Sequence, residues 1–193
     1  MINTLFYAKI FINKEETMGF SAYAVSKVKL LHKKDECDGN SCVDVNSHKI
    51  CSLREGFIER LDGYEEGCYA PEEGSEGFYI SLVCYSSHFD FCNVLSHIFY
   101  EVGAFEVANS PEGFEGEPFF ELIFKADHDG AIGPKTSAKL ARDFKDNREI
   151  FVKKLREAIN RVGYYGSLEE ALRDCDDWHK GFVLASANGF VIF

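Results

Sequence analysis

The sequence holds little of what marks a membrane protein, a secreted scaffold or a common type of enzyme. No run approaches the roughly 20 apolar residues a helix needs to cross a bilayer, and the apolar opening Leu5-Phe6-Tyr7-Ala8 stops at Lys9. A membrane partner is therefore not expected. Met1-Ile2-Asn3-Thr4 supplies no positive side chain ahead of that run, as a secretory leader would, so the cytoplasm is the expected compartment. The seven cysteines (37, 42, 51, 68, 84, 92 and 175) are odd in number, and Cys84 and Cys92 sit in apolar runs where a thiol packs as a small hydrophobe. Reduced thiols are expected rather than a disulfide framework. The chain has no Gly-x-Ser-x-Gly elbow, no Gly-x4-Gly-Lys phosphate loop, no Gly-x-Gly-x-x-Gly after a strand and no His-Glu-x-x-His helix. Whether it is an enzyme is thus left open, and no cofactor is expected.

What is present argues for a folded core. The chain has 193 residues, 46% hydrophobic, with 18 Phe and 9 Tyr but one Trp, at position 178. Disordered chains are depleted in large rings, whereas this composition fits one domain with a sizeable interior. Residues 1–17, apolar and then charged, read as a separate lead, with Met18 an alternative start and 18–193 the domain. Tyr23, Val25 and Val28 predict a strand over 20–31, with Lys27 and Lys29 facing water. Residues 33–48 and 62–77 are turn-rich loops, and between them Leu53, Phe57, Ile58 and Leu61 have helical spacing. Residues 78–85 predict a buried central strand.

Ser87-x-x-Asp90 reads as a capping box for a helix over 88–102, whose apolar stripe runs from Phe91 to Val102 and ends at Gly103 as a left-handed residue. An acidic loop follows over 105–118, then 119–124, which suits a strand or a short helix. Pro134 stands where a helix begins, and 134–162 fits one long or two abutting helices ending at Gly163. Ser167-x-x-Glu170 is a second capping box, opening a helix over 168–187 that buries Trp178 and stops at Asn188-Gly189; Phe190-Val191-Ile192-Phe193 predicts a last strand. The expected fold class is α+β, a small mainly antiparallel sheet packed against three or four helices.

Net charge is −11, unevenly spread: residues 134–162 carry nine Lys/Arg against four Asp/Glu, which leaves −16 elsewhere. Overall acidity opposes non-specific nucleic-acid binding, so a nucleic-acid partner is not expected. The basic stretch either pairs with the acidic loops or steers an acidic partner.

Two clusters have the residue types of a chemical site. His32, Cys37, Cys42, His48 and Cys51 are five ligands of the kinds zinc prefers within twenty residues, but no Cys-x2-Cys knuckle is present, and a loop with unconnected thiols is the plainer reading. Asp127-His128-Asp129-Gly130 places two carboxylates and an imidazole ahead of a helix, suited to a hard cation or to acid–base work. It also makes an ordinary tight turn, and it is no EF-hand, because the twelfth position counted from Asp127 is Ala138. Ser86, Ser87, His88 and Asp90 hold the residue types of a hydrolytic triad, but neighbours at a helix start do not converge, and capping explains them better.

Three pieces carry a resemblance: Met18-Gly19-Phe20-Ser21-Ala22-Tyr23; Asp127 to Pro134 leading into Leu140-Ala141-Arg142-Asp143-Phe144; and Trp178-x3-Phe182-x2-Ala185-x3-Gly189-Phe190-Val191. Together they resemble a family of small bacterial and phage-associated proteins of uncharacterised activity. In that family the middle piece resembles a Ser-Asp-Cys-Glu-Gly run before Ile-Gly-Pro; here His128 and Asp129 stand for the Cys and Glu, which keeps acidity and removes the thiol. The resemblance implies a bacterial or mobile-element origin and no particular reaction. The expected function is a non-catalytic interaction or regulatory protein that binds another protein. The alternatives are a metal-dependent hydrolase using Asp127, His128 and Asp129 on a phosphorylated substrate, and an acidic DNA-mimic inhibitor.

Overall fold

A computed structural model describes residues 22–33, 48–50, 61–65, 67–80, 85–124, 131–164 and 166–193, with only the backbone described at 48–50 and 85–87. The fold is α+β. The strands are β1 (Ala22–Val25), β2 (Val28–Lys33), β3 (His48–Ile50), β4 (Gly67–Pro71), β5 (Gly77–Ile80), β6 (Ala131–Ile132) and β7 (Phe190–Ile192). The helices are α1 (Tyr85–Phe99), α2 (Ala104–Asn109), α3 (Phe120–Ile123), α4 (Pro134–Asp146), α5 (Arg148–Val162) and α6 (Leu168–Ala185). Two antiparallel sheets form, one ordered β5-β1-β7-β6 and one ordered β2-β4-β3.

The sheets and helices stack as three layers because β1 alternates along its length. Ala22 and Ala24 face a large core shared with Ile80, Ile132 and Val191 and with the helices. Tyr23 and Val25 face a smaller core with Val28, Leu61, Tyr69, Ala131 and Phe190, where the second sheet packs. Small residues let α6 approach the first sheet closely: a Cβ added at Gly181 would lie 2.5 Å from Ile80 Cδ1 and 3.5 Å from the Ala24 Cβ. Trp178 is fully enclosed and stacks on Phe182 at 5.3 Å, while Phe144 joins Phe91, Phe119 and Phe182.

Several elements differ from the sequence reading. The single strand expected over 20–31 is two strands in different sheets, because Lys27 adopts a left-handed backbone (φ 47°) and bends the chain there. Ser26 and Lys27 are held on both sides of the bend. Ser26 N donates to Glu76 O, Glu72 N to Lys27 O, and Lys27 N to Ala187 O. The strand expected to be central at 78–85 lies at a sheet edge with Tyr79 exposed, and Tyr85 already belongs to α1; the C-terminal strand takes a central place instead.

Helix α1 starts at Tyr85, so Ser87 lies in its first turn rather than ahead of it. It ends at Phe99; the left-handed residue is Glu101, and Gly103 (φ −76°) instead begins α2, where its N–H donates to the Glu106 carboxylate. The acidic stretch 105–118 therefore contains a helix, and 119–124 forms a short helix rather than a strand. That stretch is tied down by Tyr100 Oη donating to Pro118 O and by Lys139, which bonds Glu117 O and pairs with Glu121 and Asp143. The stretch 134–162 is two helices abutting at Asn147, with Pro134 in the first turn of α4 and Gly163 left-handed (φ 74°) after α5. The capping box before α6 forms as expected: Ser167 Oγ accepts from Glu170 N, and Ser167 N donates to the Glu170 carboxylate. The helix expected near Leu53, Phe57 and Ile58 lies outside the described residues. No described helix is long and apolar enough to cross a membrane.

Candidate functional site

The two clusters singled out in the sequence are only partly in view. Asp127, His128 and Asp129 lie outside the described residues, as do Cys37, Cys42 and Cys51. His32 is exposed on β2, opposite Cys68 of β4, and the His48 backbone lies opposite Tyr69. Cys68 is disulfide-bonded, which corrects the expectation of reduced thiols throughout and removes this sulfur as a free ligand. Which sulfur a cysteine meets is set by the distance between Cα atoms in the folded chain, which cysteine spacing in the sequence does not reveal. Cys92 and Cys175 are free and buried. Burial pushes both thiols up, Cys175 to about 12, so neither is an activated nucleophile. Among the described residues no three His, Cys, Asp or Glu side chains gather as a metal would need.

The basic helices are placed where their charge can be compared with its partners. Of the nine Lys/Arg in 134–162, Lys139 pairs with Glu121 and Asp143, and Arg148 pairs with Asp176 at 2.9 Å. No ion pair with a described residue is formed by Lys153, Lys154, Arg156 or Arg161 of α5, all of them exposed. Two apolar side chains on the same helix, Ile150 (45% exposed) and Val152 (49%), also face solvent. Helical spacing puts Val152 one turn before Arg156 on the outward face and Ile150 one turn before Lys154 on the flank nearer α1.

Between α1 and α5 lies a furrow of about 220 Å³, lined by His97, Ile98, Glu101, Lys154, Glu157, Ala158 and Arg161. Its origin is local. Phe151 and Leu155 fill the helix pair with large buried side chains, and the small Ala158 that follows leaves the pair open. The positions 154, 157, 158 and 161 form one flank of α5, by the spacing that brings residues three and four apart together. Lys154 Nζ donates to Ile98 O at 3.0 Å, which satisfies a carbonyl near the end of α1. Burial holds the His97 imidazole below its usual value, and the neighbouring Arg161 guanidinium adds to this, partly offset by Glu106. The sequence assigns none of these side chains to a site. Their spacing on α5 was readable, but the apposition of α5 with the end of α1 was not.

Comparison with protein-family models, with curated proteins and with solved structures gives no match to this chain.

Proposed function

We propose that the protein is a non-catalytic interaction protein that docks an acidic segment of another protein on the outward face of α5. The observation that supports this reading is that Lys153 and Arg156 form no ion pair among the described residues of a chain whose net charge is −11. Acidic residues are plentiful elsewhere, at Glu72, Glu73 and Glu76 beside β4 and β5 and at Glu112, Glu115 and Glu117, yet they do not neutralise α5. An exposed ion pair contributes only about 0–1 kcal/mol, so these cations would act mainly in steering and orientation. Affinity would come from covering Ile150 and Val152, at roughly 25 cal/mol for each Å² of apolar surface removed from water.

A synthetic peptide of alternating Glu and Leu, followed by fluorescence anisotropy, tests the reading. Binding is expected to weaken as salt rises, to fall about tenfold or more in the double variant Lys153→Glu/Arg156→Glu, and to be absent for the matching Lys/Leu peptide. Equal binding of the two peptides, or an unaffected double variant, would remove the proposal.

A further inference from the structure

We propose that the furrow between α1 and α5 is a binding site for a small zwitterion of the free amino-acid class, independent of the outward face of α5. The lining contains two cations, Lys154 and Arg161, and two anions, Glu101 and Glu157. Among the described residues none of the four forms an ion pair, although they share one depression. Oppositely charged groups that line one cleft without pairing leave both a cationic and an anionic contact open to a ligand.

The mixture excludes simpler ligands. A multiply charged anion such as phosphate would meet Glu101 and Glu157 along with the cations, and a metal ion would meet Lys154 and Arg161 along with the acids. A molecule bearing one carboxylate and one ammonium satisfies both sets. The carboxylate belongs on Arg161, whose planar fork suits two-point contact, and the ammonium on Glu101 and Glu157. Lys154 has one of its three donors on Ile98 O and keeps the others. Ile98 and Ala158 supply an apolar patch for a side chain.

Size points the same way. Sites for drug-sized ligands occupy roughly 300–1,000 Å³, so 220 Å³ suits something smaller than a nucleotide. His97 serves as the reporter. It is faced by Arg161 and Lys154 of α5, by Glu157 of the same helix, by Glu101 just beyond α1 and by Glu106 of α2. A carboxylate seated on Arg161 offsets the repulsion that the guanidinium exerts on protonated His97, so ligand binding raises the imidazole's titration point.

The test uses the full chain with NMR titration of the His97 ring, assigned by loss of its signal in His97→Gln. The probes are the twenty free amino acids, with acetate and propylamine as single-charge controls. At least one amino acid is expected to shift the resonance and raise its titration midpoint, with acetate and propylamine at least tenfold weaker. Arg161→Gln and Glu157→Gln should each weaken that binding tenfold or more, with melting temperatures showing that both variants fold. The proposal is overturned if no amino acid produces a shift at about 10 mM, if acetate or propylamine binds as well as the amino acid, or if both variants bind like the parent.

Discussion

Asp174 is a residue whose charge works against the fold. It is 6% exposed, and its carboxylate accepts a hydrogen bond from Tyr164 Oη at 2.9 Å. Burial raises its titration point, the Tyr164 hydrogen bond and Arg173 work in the opposite direction, and Asp177 and Glu170 add to the rise. A carboxyl raised on folding contributes stability below its unfolded value near 3.8, and that contribution is lost as pH rises through the folded value. Asp174→Asn keeps an acceptor for Tyr164 and removes the charge. The variant is expected to melt a few degrees higher than the parent at pH 7 and with no such advantage near pH 3; a lower melting temperature at pH 7 would show that the ionised form is needed.

Trp178 offers a second measurement. Its ring is fully enclosed, but its indole N–H has no hydrogen-bond partner among the described residues. Trp178→Ala should cost about 3–5 kcal/mol in urea unfolding. Trp178→Phe keeps most of the packing and deletes an unsatisfied donor, so it should cost less than half as much.

Local chemistry decides some elements and neighbours decide others. Ser167→Ala, which removes the acceptor for Glu170 N, is expected to lower stability by about 1 kcal/mol by chemical denaturation. That cap was legible because both partners lie within four residues, and the same holds for Pro134 at the start of α4 and Gly163 after α5. Elements set by distant contacts were not. Gly103 looked like a helix end, but α1 stops at Phe99, and the Tyr100 hydroxyl bonds Pro118, eighteen residues away. The start of α4 is held by Asp62, which accepts from both the N–H and the hydroxyl of Thr136, seventy-four residues apart. Gly189 shows the same kind of constraint. A Cβ there would lie 1.8 Å from Val25 O and 2.7 Å from Ser26 Cα, both backbone atoms, so Gly189→Ala should unfold the protein or displace β7, as read by circular dichroism. Of the candidate site, only the α5 spacing could be read in advance, since the furrow exists through the pairing of two helices remote in sequence.

At the scale of the whole molecule, the last strand is a structural centre. β7 lies between β1 and β6, and its residues reach both cores. Deleting residues 190–193 removes pairing from two strands at once and should abolish cooperative melting rather than lower its midpoint. The bend at Ser26 and Lys27 acts over the same range. Slipping a strand by one residue turns every side chain to the opposite face, and in β1 that would carry Tyr23 and Val25 into the space that Ala22 and Ala24 leave beneath α6. Because β1 runs straight into β2 through a bend fixed from both sides, such a slip would also shift β2 against β4 in the other sheet. The alignment of each sheet is thereby keyed to that of its neighbour, and an alternative pairing would have to be wrong in two places at once.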